Sequence, residues 1–280
     1  MTTHPDWRDV SGTLDGVVLS HRLRPGEVPL LMIHGIGPGT SGAVNFAPLL
    51  DRLPTRFAAH LIDLAGFGAS GRKQTASFFD VTFWLRQIDQ AIDLALEIHG
   101  RPPLLIGNSV GGALALKAAA ARPEIEGVLA IGAPAGSPAT TALRAFWTAP
   151  RDAESLTAAL QPMTGPATPP PAAVVEARLR PFQSGDYSAY FNAMLADPDA
   201  CLDALRLTAA EAGRLTARVS ILHGRLDRAC PDSALLAQLA PLLPSATVTL
   251  LGGCGHNVIT ERPADVRAAL LRLAEEIMPE

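Results

Sequence analysis

Short apolar runs bounded by glycine- or proline-containing loops recur along the chain, separated by longer stretches whose apolar positions repeat with helical spacing. The short runs are Pro29-Leu30-Leu31-Met32-Ile33-His34, Ala58 to Asp63, Leu104 to Gly107, Gly127 to Gly132, Val219 to His223 and Val248 to Leu251. An uninterrupted apolar run suits a strand covered on both faces, as in the middle of a parallel sheet. Between these runs, Val81 to His99 places Leu85, Ile88, Ile92, Ala95 and Leu96 on one helical face and Asp89 and Asp93 off it. The alanine-rich stretch to Ala121, closed by Arg122-Pro123, also reads as a helix, as do Asp232 to Leu243 and Pro263 to Ile277. Ahead of them all, Val10 to Arg22 carries an Asp15-Gly16 turn between strand-forming stretches, the signature of an antiparallel hairpin at a sheet edge. Strands alternating with helices at this rhythm predict an α/β fold with a mostly parallel central sheet and helices on both faces.

The rhythm breaks at Ala133-Pro134. From there to about Leu215 the pattern holds helical patches and proline-rich joints, notably Gln161 to Pro171, but no convincing strand. This predicts an inserted helical cap over 135–215, between a first part of the core at 1–134 and a second at 216–280. No internal repeat is visible.

Composition narrows the partners. With 48% hydrophobic and 18% charged residues over 280 positions, the chain has ample apolar surface for a large core. A formal net charge of −4, with signs mixed and no basic cluster, argues against nucleic acid or an anionic membrane as partner. The start, Met1 to Asp9, lacks the basic and apolar stretches of a secretory signal, and no apolar run reaches the roughly 20 residues of a membrane helix. The three cysteines, Cys201, Cys230 and Cys254, have no ligand-like spacing, so neither a disulfide framework nor a metal site is suggested. A cytoplasmic enzyme acting on a small molecule is the expectation, with a homo-oligomer left open.

The chemistry gathers at predicted strand ends, where open α/β sheets build their sites. Gly107-Asn108-Ser109-Val110-Gly111-Gly112 fits a nucleophile elbow, in which a strand turns directly into a helix and exposes a serine hydroxyl. The bland alternative is a glycine-rich turn with an incidental serine. Serine needs a base, the base an orienting carboxylate, and the intermediate oxyanion donors. Asp227 follows the Val219–His223 run and His256 follows Val248–Leu251, so Ser109, Asp227 and His256 occur in the chain order that this architecture uses. Asp227 has a rival in Asp232, which stands where a helix-starting residue belongs. His256 alone among the seven histidines sits in a glycine-rich turn after the last strand. The backbone amides of Ile36 and Val110 are the candidate oxyanion donors. Ile36 lies in His34-Gly35-Ile36-Gly37-Pro38-Gly39, whose glycines allow a close backbone approach to a ligand; the glycine spacings of phosphate and dinucleotide loops are absent. His34 is read as a structural support of this loop, and His223 as a strand-end residue facing the core.

These stretches resemble the α/β-hydrolases, and more narrowly the meta-cleavage product hydrolases, serine enzymes that hydrolyse carbon–carbon bonds in ring-opened aromatic compounds. The resemblance rests on His34 to Gly39 with Asn45, Gly66-Phe67-Gly68-Ala69-Ser70, Gly107 to Gly112 and Cys254-Gly255-His256. It implies an α/β-hydrolase fold, no cofactor, polar positioning roles for Asn45 and Asn108, and a cap arginine that binds the substrate carboxylate. Arg178 matches in placement, with Arg180 an equal-looking neighbour. Where that family has a tryptophan after the catalytic histidine, this chain has Asn257, which would replace an aromatic wall of the substrate site by a small amide. Phe146, Trp147, Tyr187, Tyr190 and Phe191 would line an apolar pocket or form the core of the cap.

The resulting expectation is hydrolysis of a carbon–carbon bond in a ring-opened aromatic or diketone acid. The alternatives are a carboxylesterase, thioesterase or lactonase using the same serine, and a non-hydrolytic biosynthetic use of the fold.

Overall fold

The hairpin at the start of the chain opens an eight-stranded sheet, and every later strand except one neighbour pair runs parallel to the next. The computed structural model describes residues 7–165 and 170–278. Residues 1–6 and part of the proline-rich joint expected over Gln161 to Pro171 lie outside the described residues. In chain order the core begins with β1 (Arg8–Leu14), β2 (Val17–Arg24), β3 (Val28–Ile33), α1 (Gly42–Leu50), β4 (Phe57–Ile62), α2 (Val81–His99), β5 (Leu104–Asn108), α3 (Val110–Ala121) and β6 (Gly127–Ile131). Among the described residues six α-helices follow, α4 (Thr141–Phe146), α5 (Ala153–Leu160), α6 (Ala172–Leu179), α7 (Tyr187–Met194), α8 (Pro198–Leu205) and α9 (Ala209–Ala212). The sheet resumes with β7 (Arg218–Gly224) and, after α10 (Asp232–Ala234), β8 (Thr247–Leu251), and the chain closes on α11 (Val258–Glu261) and α12 (Pro263–Ile277).

The strand order is β1-β2-β4-β3-β5-β6-β7-β8, with β1–β2 and β2–β4 antiparallel and the remainder parallel. Side chains alternate across the strands, so one apolar run feeds two cores. Leu31, Ile33, Leu105, Val128, Ala130 and Ile221 face α2 and α3, whereas Leu30, Met32, Ile106, Leu129, Ile131 and Leu222 face α1, α11 and α12. Both faces being covered is the reason these strands read as continuous apolar runs rather than alternating ones.

α3 is buried on every side from Val110 to Ala120, between the sheet, α2 and the helices α8 and α9. Only a run of small residues fits such a position at close interhelical distance, and that accounts for its alanines. The helices between β6 and β7 share the core cluster of the α2–α3 face through Leu143, Phe146, Trp147, Leu160, Phe191 and Leu205.

Two elements depart from the sequence pattern. α1 begins with Gly42 and contains Pro48, which hid it; Ser41 caps it by accepting from the Val44 amide, and burial of Phe46 and Leu49 holds it. The helix expected over Asp232 to Leu243 is regular only to Ala234. Beyond that the chain widens into a five-residue π-wound turn over Leu235–Leu239 and then tightens into a 3₁₀ turn over Ala240–Leu242. Pro241 explains the break, since it has no N–H to continue the ladder and its ring crowds the preceding turn.

Candidate active site

Ser109 is forced into an uncommon backbone conformation by the elements on either side of it. Its φ of 53° and ψ of −121° are those of neither β5 nor α3, yet it joins them with no intervening residue. The strain holds because the surroundings fix both ends: the Ser109 amide donates to the Ile131 carbonyl at 2.7 Å, and the Ser109 carbonyl accepts from Gly112 at 2.8 Å. The flanking glycines are needed for clearance. A Cβ on Gly107 would stand 2.1 Å from the Gly111 carbonyl oxygen, and one on Gly111 would stand 2.1 Å from that of Ile33. The spacing in the sequence is thus a steric requirement of turning from strand to helix against β3.

The hydroxyl so presented meets His256. Ser109 Oγ donates to His256 Nε2 at 3.0 Å, and His256 Nδ1 donates to Asp227 Oδ2 at 2.7 Å. The other carboxylate oxygen, Oδ1, accepts from the Ala229 and Cys230 amides at 2.8 Å each. With Oδ1 committed to the backbone, Oδ2 is left for the imidazole, which places the proton on Nδ1 and a lone pair on Nε2 facing the serine. Ser109, His256 and Asp227 are only 6%, 3% and 6% exposed. Burial alone would depress the His256 imidazolium; the Asp227 charge and hydrogen bond, with a further contribution from Glu261, outweigh it and raise its pKa above the ordinary histidine value. Asp232, the rival acid, instead starts α10 and lies 3.8 Å from Arg225.

A second histidine lies behind the acid. His223, at the end of β7 and fully buried, donates from Nε2 to the Cys230 carbonyl at 2.6 Å, and the same nitrogen is 3.4 Å from Asp227 Oδ2. Burial holds it neutral despite the carboxylate beside it. Its place as a core-facing strand end was legible in the sequence; its contact with the acid was not.

The loop after β3 lies against the serine, and its candidate donors are free. The Val110 amide belongs to the first turn of α3, where a helix has no internal acceptor, and among the described residues the Ile36 amide meets no protein acceptor. His34 supports the loop as anticipated, with Nδ1 donating to the Gly35 carbonyl at 2.7 Å and Nε2 accepting from the Leu64 amide at 2.9 Å. Asn45, carried on α1, uses its side-chain oxygen for two donors, the Gly35 amide at 3.0 Å and Asn108 Nδ2 at 3.1 Å. The Asn108 oxygen is buried and has no partner among the described residues.

The helices beyond β6 also grip this loop. Trp147 Nε1 donates to the Ile36 carbonyl at 3.2 Å, and Arg178 Nε donates to the Pro38 carbonyl at 2.8 Å. Gly39, with φ of 57°, passes so close that a Cβ would fall 1.9 Å from the Arg178 carbonyl oxygen. The glycine at that position therefore serves contact with α6 rather than the approach of a ligand. Arg178 is partly buried, its guanidinium 5.7 Å over the Phe146 ring, and burial lowers its pKa to about 10. Among the described residues it has no carboxylate partner, whereas Arg180 is exposed. Phe146, Trp147, Tyr190 and Phe191 are buried, and Tyr187 is partly buried with its hydroxyl donating to the Gly66 carbonyl at 3.0 Å. Asn257 is half-buried and donates from its backbone amide to the Met163 carbonyl at 2.9 Å. Trp147 was expected only as a pocket or cap-core aromatic, not as a support of the oxyanion loop, and Glu261 carried no motif that would have marked it for the site.

The fold has a family counterpart: the alpha/beta hydrolase family matches residues 30–269. The chain belongs to that family. Within the alpha/beta hydrolases it is similar to a 2-hydroxymuconate semialdehyde hydrolase of Pseudomonas sp., 29% identical over 239 residues that make up 84% of this chain and 83% of the relative. A 2-hydroxy-6-oxo-2,4-heptadienoate hydrolase of Pseudomonas putida is 26% identical over 237 residues, 84% of each chain. Among solved structures, the meta-cleavage product hydrolase CumD of Pseudomonas fluorescens superposes with a TM-score of 0.85 at 25% identity, covering 95% of this chain and 97% of that one. The relatives are hydrolases, and these neighbours are meta-cleavage product hydrolases, as the motifs imply. Among the described residues no helix is long and apolar enough to cross a membrane.

Proposed function

We propose that the protein is a serine-dependent hydrolase that cleaves a carbon–carbon bond in a small ring-opened aromatic or diketone acid. Ser109 is the nucleophile, His256 the base and Asp227 its orienting acid, with the Ile36 and Val110 amides as oxyanion donors. The cap over 135–215 closes the site above the core parts at 1–134 and 216–280. The observation that carries the substrate class is Arg178: a partly buried guanidinium on the oxyanion-loop side of the cap, with one N–H spent on Pro38 and, among the described residues, no carboxylate opposite it. A planar cationic fork left in this state suits a carboxylate ligand.

In this reading Arg178 holds the substrate carboxylate, and Asn45, Asn108 and Asn257 lie around the bound chain. The Asn108 oxygen, unpartnered among the described residues, accepts a hydrogen bond from the dienol hydroxyl. Protonation at carbon ketonises the dienol. Ser109, or a water activated by His256, then adds to the remaining carbonyl, whose oxygen takes negative charge between the two amides. Collapse breaks the bond between the carbonyl carbon and its neighbouring carbon, and the departing carbanion is protonated. Where serine attacks, a water then hydrolyses the acyl-enzyme and regenerates the serine.

A second reading, an esterase, is favoured by a partial likeness: a pimeloyl-[acyl-carrier protein] methyl ester esterase of Stenotrophomonas maltophilia is 36% identical over 104 residues, 37% of this chain. A panel of ring-opened dienoic acids and simple aryl esters separates the two. Turnover of the acids, abolished by Ser109→Ala, supports carbon–carbon cleavage; turnover of esters alone overturns it. Arg178→Ala is expected to raise KM for carboxylate-bearing substrates about 10- to 100-fold, the worth of a lost charged hydrogen-bond pair, and to leave neutral esters unaffected.

A further inference from the structure

We infer that Glu261 is a positioning residue that ties the loop carrying His256 to the cap, so that the base is held in register only while the 163–165 segment is seated on the core. The inference rests on reading His256 as the base. Glu261 ends α11, five positions beyond His256, and its carboxylate faces back along the chain. Both of its oxygens accept from the Gly255 amide, each at 3.1 Å, immediately before the histidine. Oε2 also accepts from the Gly165 amide at 2.7 Å, across the seam between the core and the segment that follows α5.

A single side chain thus serves backbone donors from two parts of the molecule. The seam is closed by other contacts as well. The Asn257 amide, immediately after the histidine, donates to the Met163 carbonyl at 2.9 Å. A Cβ on Gly255 would stand 2.7 Å from the Thr164 carbonyl carbon and 2.8 Å from the Gly165 nitrogen, so the two backbones are in direct contact. His256 is therefore bracketed: Gly255 before it is held by Glu261, Asn257 after it by Met163, and the imidazole itself by Asp227. Two of these three restraints reach residues 163–165.

The carboxylate also acts through its charge. The groups that bear on the His256 ring are Asp227 in the loop after β7, Glu261 on α11, and His223 at the end of β7, which is neutral. Asp227 and Glu261 both favour the imidazolium. Geometry and charge can be separated, because Glu261→Gln keeps an oxygen able to accept from Gly255 and Gly165 but removes the charge, whereas Glu261→Ala removes both.

For Glu261→Ala, kcat is expected to fall about 10- to 100-fold with KM within about threefold, the penalty of a base displaced by a fraction of its reach. For Glu261→Gln, kcat is expected to stay within about threefold of wild type, while the acidic limb of kcat/KM moves to lower pH by about half a unit. Hydrogen exchange, which needs no turnover, gives an independent readout: the Gly165, Gly255 and Asn257 amides are expected to exchange at least about tenfold faster in Glu261→Ala, and to stay protected in Glu261→Gln. A variant with lowered Tm but wild-type kcat, acidic limb and amide protection would overturn the inference, leaving Glu261 a merely structural residue. If Glu261→Ala does not fold, an unshifted limb in Glu261→Gln has the same force. Retained activity in Ser109→Ala would instead remove the catalytic premise, and the exchange rates would still decide whether Glu261 couples the two segments.

Discussion

At the scale of single residues, the candidate site combines a strained serine, Ser109, with a histidine, His256, whose tautomer is dictated by its neighbours. Gly111→Ala would push a methyl carbon into the Ile33 carbonyl. It is expected to cost about 3 kcal/mol by urea denaturation, at the upper end for overpacking, because the obstacle is backbone of a central strand and cannot rotate away. His256 bears on pH dependence. Its raised pKa means that the imidazole protonates at a higher pH than a free histidine would, and the protonated ring cannot accept the serine proton. The acidic limb of kcat/KM is therefore expected above about pH 6.5, the unperturbed histidine value. In Asp227→Asn the charge that raises it is gone, so the limb should fall below that of wild type in whatever activity remains. A limb unmoved by this change would show that the profile reports another group.

At the scale of elements, strands were legible because burial on both faces leaves only one reading of Leu30-Leu31-Met32-Ile33 or Val128-Leu129-Ala130-Ile131. That Ser109, Asp227 and His256 would meet was legible because a parallel sheet puts successive strand-end loops at the same edge. What stayed hidden were contacts between elements distant in sequence: Trp147 on Ile36, Glu261 on Gly165, and Lys117 on Glu211. The last pair has a testable role. Lys117 sits on α3, 8% exposed, and its Nζ donates to both oxygens of Glu211 on α9, at 2.8 and 3.0 Å. Glu211 also accepts from the Thr208 amide and hydroxyl, so one carboxylate caps α9 and docks it on the helix that follows Ser109. Glu211→Ala is expected to destabilise by about 3 kcal/mol, since it strands a buried cation. Lys117→Met should cost less than half of that, because its apolar chain refills the slot and Glu211 keeps its Thr208 donors. Equal costs in urea unfolding would refute this asymmetry.

At the scale of the whole molecule, the response to acid follows from where the histidines are buried. His21 on β2, His34 after β3, His60 on β4 and His223 on β7 all have their pKa values lowered, in each case chiefly by burial, and His60 reaches about 3. His21 and His60 share a 2.8 Å hydrogen bond between ring nitrogens, which requires that at least one of them be neutral. In the unfolded chain each would titrate near 6.5. Between that value and its own depressed folded pKa, each histidine binds a proton in the unfolded state and none in the folded one. Stability therefore rises with pH across this window and is lost as pH falls through it, by up to about 1.4 kcal/mol per pH unit for each such group. His256 works in the opposite sense, because its raised folded pKa favours the folded state at low pH, but it is one group against these four and His99, whose pKa burial also lowers. Urea midpoints are accordingly expected to drop steadily from pH 7 to pH 5, before most carboxylates titrate. Replacing the bonded pair together, His21→Leu with His60→Leu, leaves neither nitrogen without its partner. It should flatten that slope by about two protons' worth while changing stability little at pH 7.5. An unchanged slope in the double variant would assign the acid sensitivity to groups outside the β2–β4 pair.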